Sequence, residues 1–189
     1  MVMASTWVEA EFENIFREHF ERMVGVARRV LGSDAEAEEV CAEAFLKLYR
    51  SGPRVLAGGA VGAWLYRVVT RGSIDRLRKN NRRGVEEQLD TDIDGGAKES
   101  REDPLQRLMR SECIAEVRST LARLKPEKAQ LLLLRHSGLS YQEIAAALQL
   151  KSGSVGTMLA RAEAEFSAQY ASQQRISKRT TRLQTAKEG

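Results

Sequence analysis

The chain has 189 residues, a formal net charge of +4 and 42% hydrophobic residues, enough for one or two packed domains and too apolar for a globally disordered protein. Its two cysteines, Cys41 and Cys113, stand far apart with no second Cys or His at ligand spacing. That excludes a cysteine-based structural metal site and a disulfide framework, and leaves both as small apolar residues expected in helical cores.

The periodicity predicts an all-α protein, with no strand-like alternation of useful length. Phe12, Ile15, Phe16, Phe20, Met23, Val24, Ala27, Val30 and Leu31 recur at three- and four-residue steps and make one face of a first helix, which Gly32 stops. Ser33 or Asp34 can cap the second helix. There Ala37, Val40, Cys41, Ala44, Phe45 and Leu48 face inward, and Glu36, Glu38, Glu39, Glu43 and Lys47 face outward. Residues 51–59, with three Gly and one Pro, read as a loop. A third helix is expected from about Ala60 to Asn80, with Val61, Trp64, Leu65, Val68 and Leu77 inward. Gly62 and Gly72 should weaken it by ~1 kcal/mol each against Ala.

Residues 85–104 hold eight acidic residues, two basic ones and an adjacent Gly pair, with no periodic apolar face. Such a segment cannot repay the entropy of ordering, so it is read as a flexible acidic linker. A second helical block spans residues 105–170. Leu105, Leu108, Cys113, Val117, Leu121 and Leu124 form its first stripe. Pro126 opens a helix, Ala129 to Leu134 supplies a buried segment, and Gly138 breaks the chain. Residues 171–189 are polar, with five basic residues against one acid, and are expected to fray as a basic tail. No run reaches the ~20 apolar residues of a membrane helix, and Glu9, Glu11 and Glu13 stand where a secretory signal would be basic and then apolar. The expected place of action is cytoplasmic, with no membrane contact.

The most specific local signal is Ser140–Arg161, SYQEIAAALQLKSGSVGTMLAR. Ser140 with Glu143 fits a capping box. Ile144 and Leu148 are apolar anchors, Ala145 is small enough for a close helix crossing, and Leu150 lies in a short turn. Ser152 can cap the next helix, whose inward positions are Val155, Leu159 and Ala162. This is the pattern of a helix-turn-helix, whose second helix enters a major groove. The backbone N–H groups of Ser152, Gly153 and Ser154 would face a phosphate. Lys151 and Arg161 are its basic residues, while Gly156, Met158 and Ala160 are read as an outer face poor in charge. An ordinary helical hairpin inside a bundle would carry the same anchors.

The third helix of the first block contains WLYRVVTRGSIDRLRKNNRR, with seven Lys or Arg and one Asp from Arg67 onward. Arg67, Arg71 and Arg78 share a face, and Trp64 and Tyr66 add aromatic surface, an arrangement suited to a nucleic-acid backbone with unstacked bases. The same residues could instead be a core Trp beneath a solvated basic face. The second helix, acidic outside and apolar inside, can dock a protein or simply close the bundle.

Taken in order, AEEVCAEAFLKLY, WLYRVVTRGSIDRLRK and the segment LARLKPEKAQLLLLRHSGLSYQEIAAALQLKSGSVGTMLARAEAEF resemble the extracytoplasmic-function group of the sigma-70 family. The resemblance covers residues 10–84 and 108–166. It implies an RNA polymerase sigma factor with two small helical domains: 10–84 for polymerase docking and −10 recognition and melting, and 105–170 for the −35 element. Through it, Glu38, Glu39, Glu43, Leu46 and Lys47 are expected at the clamp helices of the polymerase largest subunit, and the second domain at its flap. Trp64, Arg67, Arg71, Asp75 and Arg78 are expected on the melted −10 strand. Lys151, Ser152, Gly153, Ser154, Thr157 and Arg161 are expected on −35 DNA. The loop Val55–Gly62 falls where the family takes up a flipped base, and the linker where the family threads the RNA channel of polymerase. Core polymerase and promoter DNA are the implied partners, with an anti-sigma factor as a third. No catalytic residue, metal ligand or cofactor is expected. Two other readings fit the residues without the resemblance: a stand-alone helix-turn-helix regulator, and a sigma-like module that only binds another protein. The sequence departs from the family pattern at Ala42, where Gln is frequent, at Arg71, where Asn is common, and at Gly72, where a larger apolar residue is usual.

Overall fold

The computed structural model describes residues 2–51, 61–83 and 103–185, with side chains between residues 9 and 175 of these. Within them the chain forms helices alone: α1 (Val2–Leu31), α2 (Asp34–Ser51), α3 (Val61–Arg83), α4 (Pro104–Arg123), α5 (Pro126–His136), α6 (Tyr141–Leu148) and α7 (Ser152–Thr185). The expected flipped-base loop lies outside the described residues except for Val61 and Gly62, which open α3, and most of the acidic linker lies outside them too.

The punctuation follows the residues that set it. Gly32 adopts φ +78° and its N–H bonds the Arg28 carbonyl at 2.7 Å, closing α1 in a left-handed step natural to glycine. Ser33 is the cap of α2, accepting from the Glu36 N–H at 3.3 Å. Asp103 caps α4 by accepting from Leu105 N–H at 3.2 Å, and Pro104 and Pro126 occupy first-turn positions where no N–H is needed. The last expected linker residues therefore serve as a helix start. Gly72 does more than weaken α3: a Cβ there would meet Val40 Cγ1 at 3.0 Å, so the glycine permits the close crossing of α2 and α3.

Helices α1, α2 and α3 pack mutually, and α4 to α7 fold around them through α3, which touches α4, α5 and α6. The two blocks, expected as separate domains, are in contact. One apolar cluster joins Met23, Leu48, Leu65 and Val69 to Leu131, Leu134, Ile144 and Val155. A second joins Val30, Ile74 and Leu77 to Leu121, Leu124 and Ala129. The tail expected to fray is helical as far as Thr185. Its inner residues have partners that periodicity could not supply: Gln173 Oε1 accepts from Thr120 Oγ1 at 3.0 Å, and Gln174 Nε2 donates to Glu116 at 3.1 Å.

Candidate nucleic-acid interface

The helix-turn-helix is built as the residues suggested. Ser140 Oγ accepts from the Glu143 N–H at 3.3 Å, and Glu143 Oε2 accepts from the Ser140 N–H at 2.8 Å, a closed capping box. Those bonds hold the Glu143 carboxyl below its usual range. Gln149 takes the left-handed step at φ 57° that ends α6, and the Leu150 N–H reaches back to the Ala145 carbonyl at 2.9 Å. Ile144, Ala145, Val155 and Leu159 are buried between the two helices.

Two details of the second helix of this motif, α7, differ from expectation. Ser152, expected as its cap, is its first residue, and the first turn is closed by Ser154, whose N–H and hydroxyl both donate to the Lys151 carbonyl at 2.9 and 2.7 Å. Gly156 and Met158 do not stand on the outer face. Both are half-buried: a Cβ on Gly156 would lie 3.4 Å from the Tyr141 ring, and Met158 packs on the core. Positions 156 and 158 flank the inward anchors Val155 and Leu159, so the exposed stripe runs through Gly153, Thr157, Ala160 and Arg161, with Lys151 and Ser152 ahead of it.

On α3, Arg67, Arg71, Asp75 and Arg78 fall on one side, as their spacing required. Arg71 Nε donates to Asp75 Oδ2 at 3.1 Å, and Arg71 Nη1 lies 3.9 Å from Glu127 Oε1 on α5. Arg78 Nε donates to the Ala122 carbonyl at 3.0 Å and its Nη2 to the Leu124 carbonyl, so this side chain caps the end of α4. The Arg67 carbonyl accepts from Gln130 Nε2 at 3.0 Å. Trp64 is half-buried against the first apolar cluster. An open cleft of about 410 Å³ remains between α3 and the end of α4, lined by Asp75, Arg78, Asn81, Arg82, Ala122 and Arg123.

The outer face of α2 presents Glu38, Glu43, Leu46 and Lys47 to solvent. Glu39 is exposed but tied inward: Arg76 Nη2 on α3 lies 2.9 Å from its carboxylate, and that bond and charge hold the Glu39 carboxyl below its ordinary range. Arg76 also approaches Glu36 at 3.5 Å, where Asn80 Nδ2 donates at 2.9 Å. Residue patterns missed two members of this surface. Tyr49 and Phe16 are 48% and 38% exposed beside Leu46 at 47%, and they belong to an aromatic cluster with Phe12, Phe20 and Phe45. Tyr49 stands three residues after Leu46, a signal that was available. The helical step of Phe16 fits the inner stripe, so spacing alone assigns it to the core. Among the described residues no group of His, Cys, Asp or Glu could hold a metal ion, and no helix is long and apolar enough to cross a membrane.

Residues 15–83 match the Sigma-70 region 2 family and residues 114–166 match Sigma-70, region 4. The chain is 32% identical over 151 residues to the "ECF RNA polymerase sigma factor SigE" of Mycolicibacterium smegmatis, covering 79% of this chain and 58% of that protein. It is 29% identical over 157 residues to the "RNA polymerase sigma-H factor" of Pseudomonas aeruginosa, covering 80% of this chain and 81% of that one. A shorter likeness, 29% over 68 residues, covers 36% of this chain and 35% of an "ECF RNA polymerase sigma factor SigM" of Mycobacterium tuberculosis.

Proposed function

We infer the working of each half from one premise: this chain belongs to the sigma-70 family of RNA polymerase sigma factors, in its extracytoplasmic-function group. It binds core polymerase and directs it to promoters, acting in the cytoplasm and contributing no bond-breaking chemistry of its own. The domain over residues 10–84 docks on the clamp helices of the largest subunit through the outer face of α2. Leu46 is its apolar centre, Tyr49 and Phe16 extend it, and Glu38, Glu43 and Lys47 rim it. Glu39 contributes through its pairing with Arg76, which fixes α2 on α3. Trp64, Arg67, Arg71, Asp75 and Arg78 engage the melted −10 strand. The domain over residues 105–170 meets the flap and sets the first turn of α7 on −35 DNA. There the N–H groups of Ser152, Gly153 and Ser154 approach a phosphate, with Lys151, Thr157 and Arg161 around them. An anti-sigma factor would act by covering one of these faces.

The observation that carries this reading is the pairing, in family order, of a basic α3 with a helix-turn-helix whose reader turn is exposed. A stand-alone helix-turn-helix regulator leaves the region 2 half without a purpose. Run-off transcription with purified core polymerase on genomic DNA, with the 5′ ends sequenced, tests it. The expected result is a small set of start sites sharing −10 and −35 elements. Start sites identical to those of core polymerase alone would overturn it.

A further inference from the structure

Where α2 and α3 cross, a ridge of each helix meets the other, and the contact changes character along its length. On α3 the ridge is Gly72, Arg76 and Asn80, at four-residue steps; on α2 it is Val40 and Glu36, running the opposite way. Gly72 lies against Val40, where a Cβ would come within 3.0 Å of Cγ1. One turn on, Arg76 Nη2 is 2.9 Å from the Glu39 carboxylate and its Nη1 is 3.5 Å from Glu36. One turn further, Asn80 Nδ2 donates to both oxygens of Glu36, at 3.0 and 2.9 Å. The Glu36 and Arg76 side chains are only 15% and 22% exposed, so water screens this part of the ladder little. Apolar packing tolerates a range of rotations between two helices, whereas a carboxylate held by a guanidinium and an amide accepts a narrow one. Arg76 and Asn80 stand on the other side of α3 from Arg67, Arg71, Asp75 and Arg78, so they do not reach the strand themselves.

We propose that Arg76 and Asn80 are positioning residues for promoter opening: through Glu36 and Glu39 they fix the angle and register of α3 on α2. They thereby set the stance of the strand face of α3 relative to the docking face of α2, and the proposal rests on the readings of those two faces given above. The docking face is carried by α2 with Phe16 of α1, so binding to core polymerase does not need the ladder. Capture of the melted strand does need it, because Arg67, Arg71, Asp75 and Arg78 must stand in the right place on a polymerase that is already bound. Misplacing such groups by ~1 Å can slow a step about a hundredfold. Without the ladder, Val40, Gly72 and the apolar cluster still join α2 to α3, but leave the far end of α3 free to shift.

The test uses the full-length chain with purified core polymerase on a promoter obtained from the run-off experiment. Three quantities are read for each variant: affinity for core polymerase, melting temperature of the free chain, and the rate of promoter opening at saturating holoenzyme, followed by permanganate reactivity of unpaired thymines. Arg76→Met removes both ion pairs and keeps most of the stem. Asn80→Asp sets a carboxylate against Glu36. Opening should slow about tenfold in each, with core affinity within about twofold of wild type. Arg76→Lys, which keeps one ion pair at a time, should recover part of the rate. The discriminating variant combines Glu36→Gln with Asn80→Asp and reverses the bond, putting the amide on α2 and the carboxylate on α3. It should open the promoter within about twofold of wild type, a rescue that direct contact of Asn80 with DNA, or of Glu36 with polymerase, would not give. Circular dichroism checks that each variant is folded. Opening unchanged in Arg76→Met and Asn80→Asp would overturn the proposal, even if melting temperature and core affinity fell, because the ladder would then only stabilise the domain. A double variant no faster than Asn80→Asp alone would overturn it too. In either case a wild type that opens the promoter leaves the sigma reading standing. A wild type that selects and opens no promoter removes that reading, and the positioning role with it.

Discussion

At the scale of single residues, two polar groups near helix ends behave in opposite ways. Glu143 is satisfied locally, and both halves of its capping box were legible because the motif is four consecutive residues and needs no tertiary partner. Its carboxyl is depressed first by the Ser140 N–H bond. A depressed carboxyl contributes stability that is complete above its unfolded pKa and is lost as the pH falls through the lower folded value. Separately, Ser140→Ala removes the N-cap acceptor and should cost ~1 kcal/mol. In Glu143→Gln, the part of the acid-side loss of stability that sets in as the pH falls below the ordinary glutamate range should disappear, followed by urea midpoints. An acid limb identical to wild type would remove the capping box as its source. Arg118 is the contrary case: burying a guanidinium costs several kcal/mol, and the carbonyl end of α1 returns only about 0.3–2 kcal/mol. Nothing in the local sequence marks Arg118, since its burial depends on Gly32, distant in the chain.

At the scale of helices, the surface of α2 and the reader stripe of α7 divide legible from illegible features. Amphipathic stripes gave the inner faces of α1, α2 and α3, and the docking candidates followed as the opposite face. The aromatic edge needed coordinates, because Phe16 lies at the margin of its stripe. Leu46→Ala combined with Tyr49→Ala should weaken binding to core polymerase at least about tenfold, as truncation of exposed apolar anchors at an interface does. Both side chains are about half exposed, so the melting temperature should move little; unchanged affinity would dismiss this docking face. On α7 the exposed stripe offers Thr157 and Arg161 but no other long polar side chain before Glu163. Each good bidentate base contact is worth ~1–3 kcal/mol, so few are available. Arg161→Ala should weaken binding almost uniformly across −35 sequences and lower the salt slope by about one unit. In a randomised-promoter transcription library, the information at −10 should exceed that at −35. Equal or greater information at −35 would mean that Thr157, Gly153 and Ala160 read bases by contact or shape.

At the scale of the whole molecule, the family order and the all-α fold were legible, and the association of the halves was not. Periodicity reports which side of a helix is apolar but not which distant helix covers it. Leu121 and Leu124 fit a stripe equally well over a domain of their own or over Ile74 and Leu77. The same limit explains α7: its continuation looked polar because its partners are Gln, Thr and Glu side chains on α4. Proteolytic cleavage between residues 85 and 102 should leave two helical fragments by circular dichroism. Those fragments should reassociate in a concentration-dependent way, because cleavage removes the tether and leaves the contact. Fragments that stay apart at every concentration would place the packing energy in the tether alone.

The length of α7 has a mechanical consequence. One uninterrupted helix carries the turn proposed above to read DNA, at Ser152, and, about 33 Å further along at 1.5 Å per residue, the side chains of Gln173 and Gln174 that grip α4. Between those points there is no helix break, so on the proposed reading the helix is a lever with its load in the groove and its handle on α4. The α4 helix begins at Pro104, where the acidic segment arrives. Tension on that segment would therefore turn the reader against the duplex instead of being lost in a loose joint, and a glycine pair introduced midway along α7 should uncouple the two ends while leaving each in place.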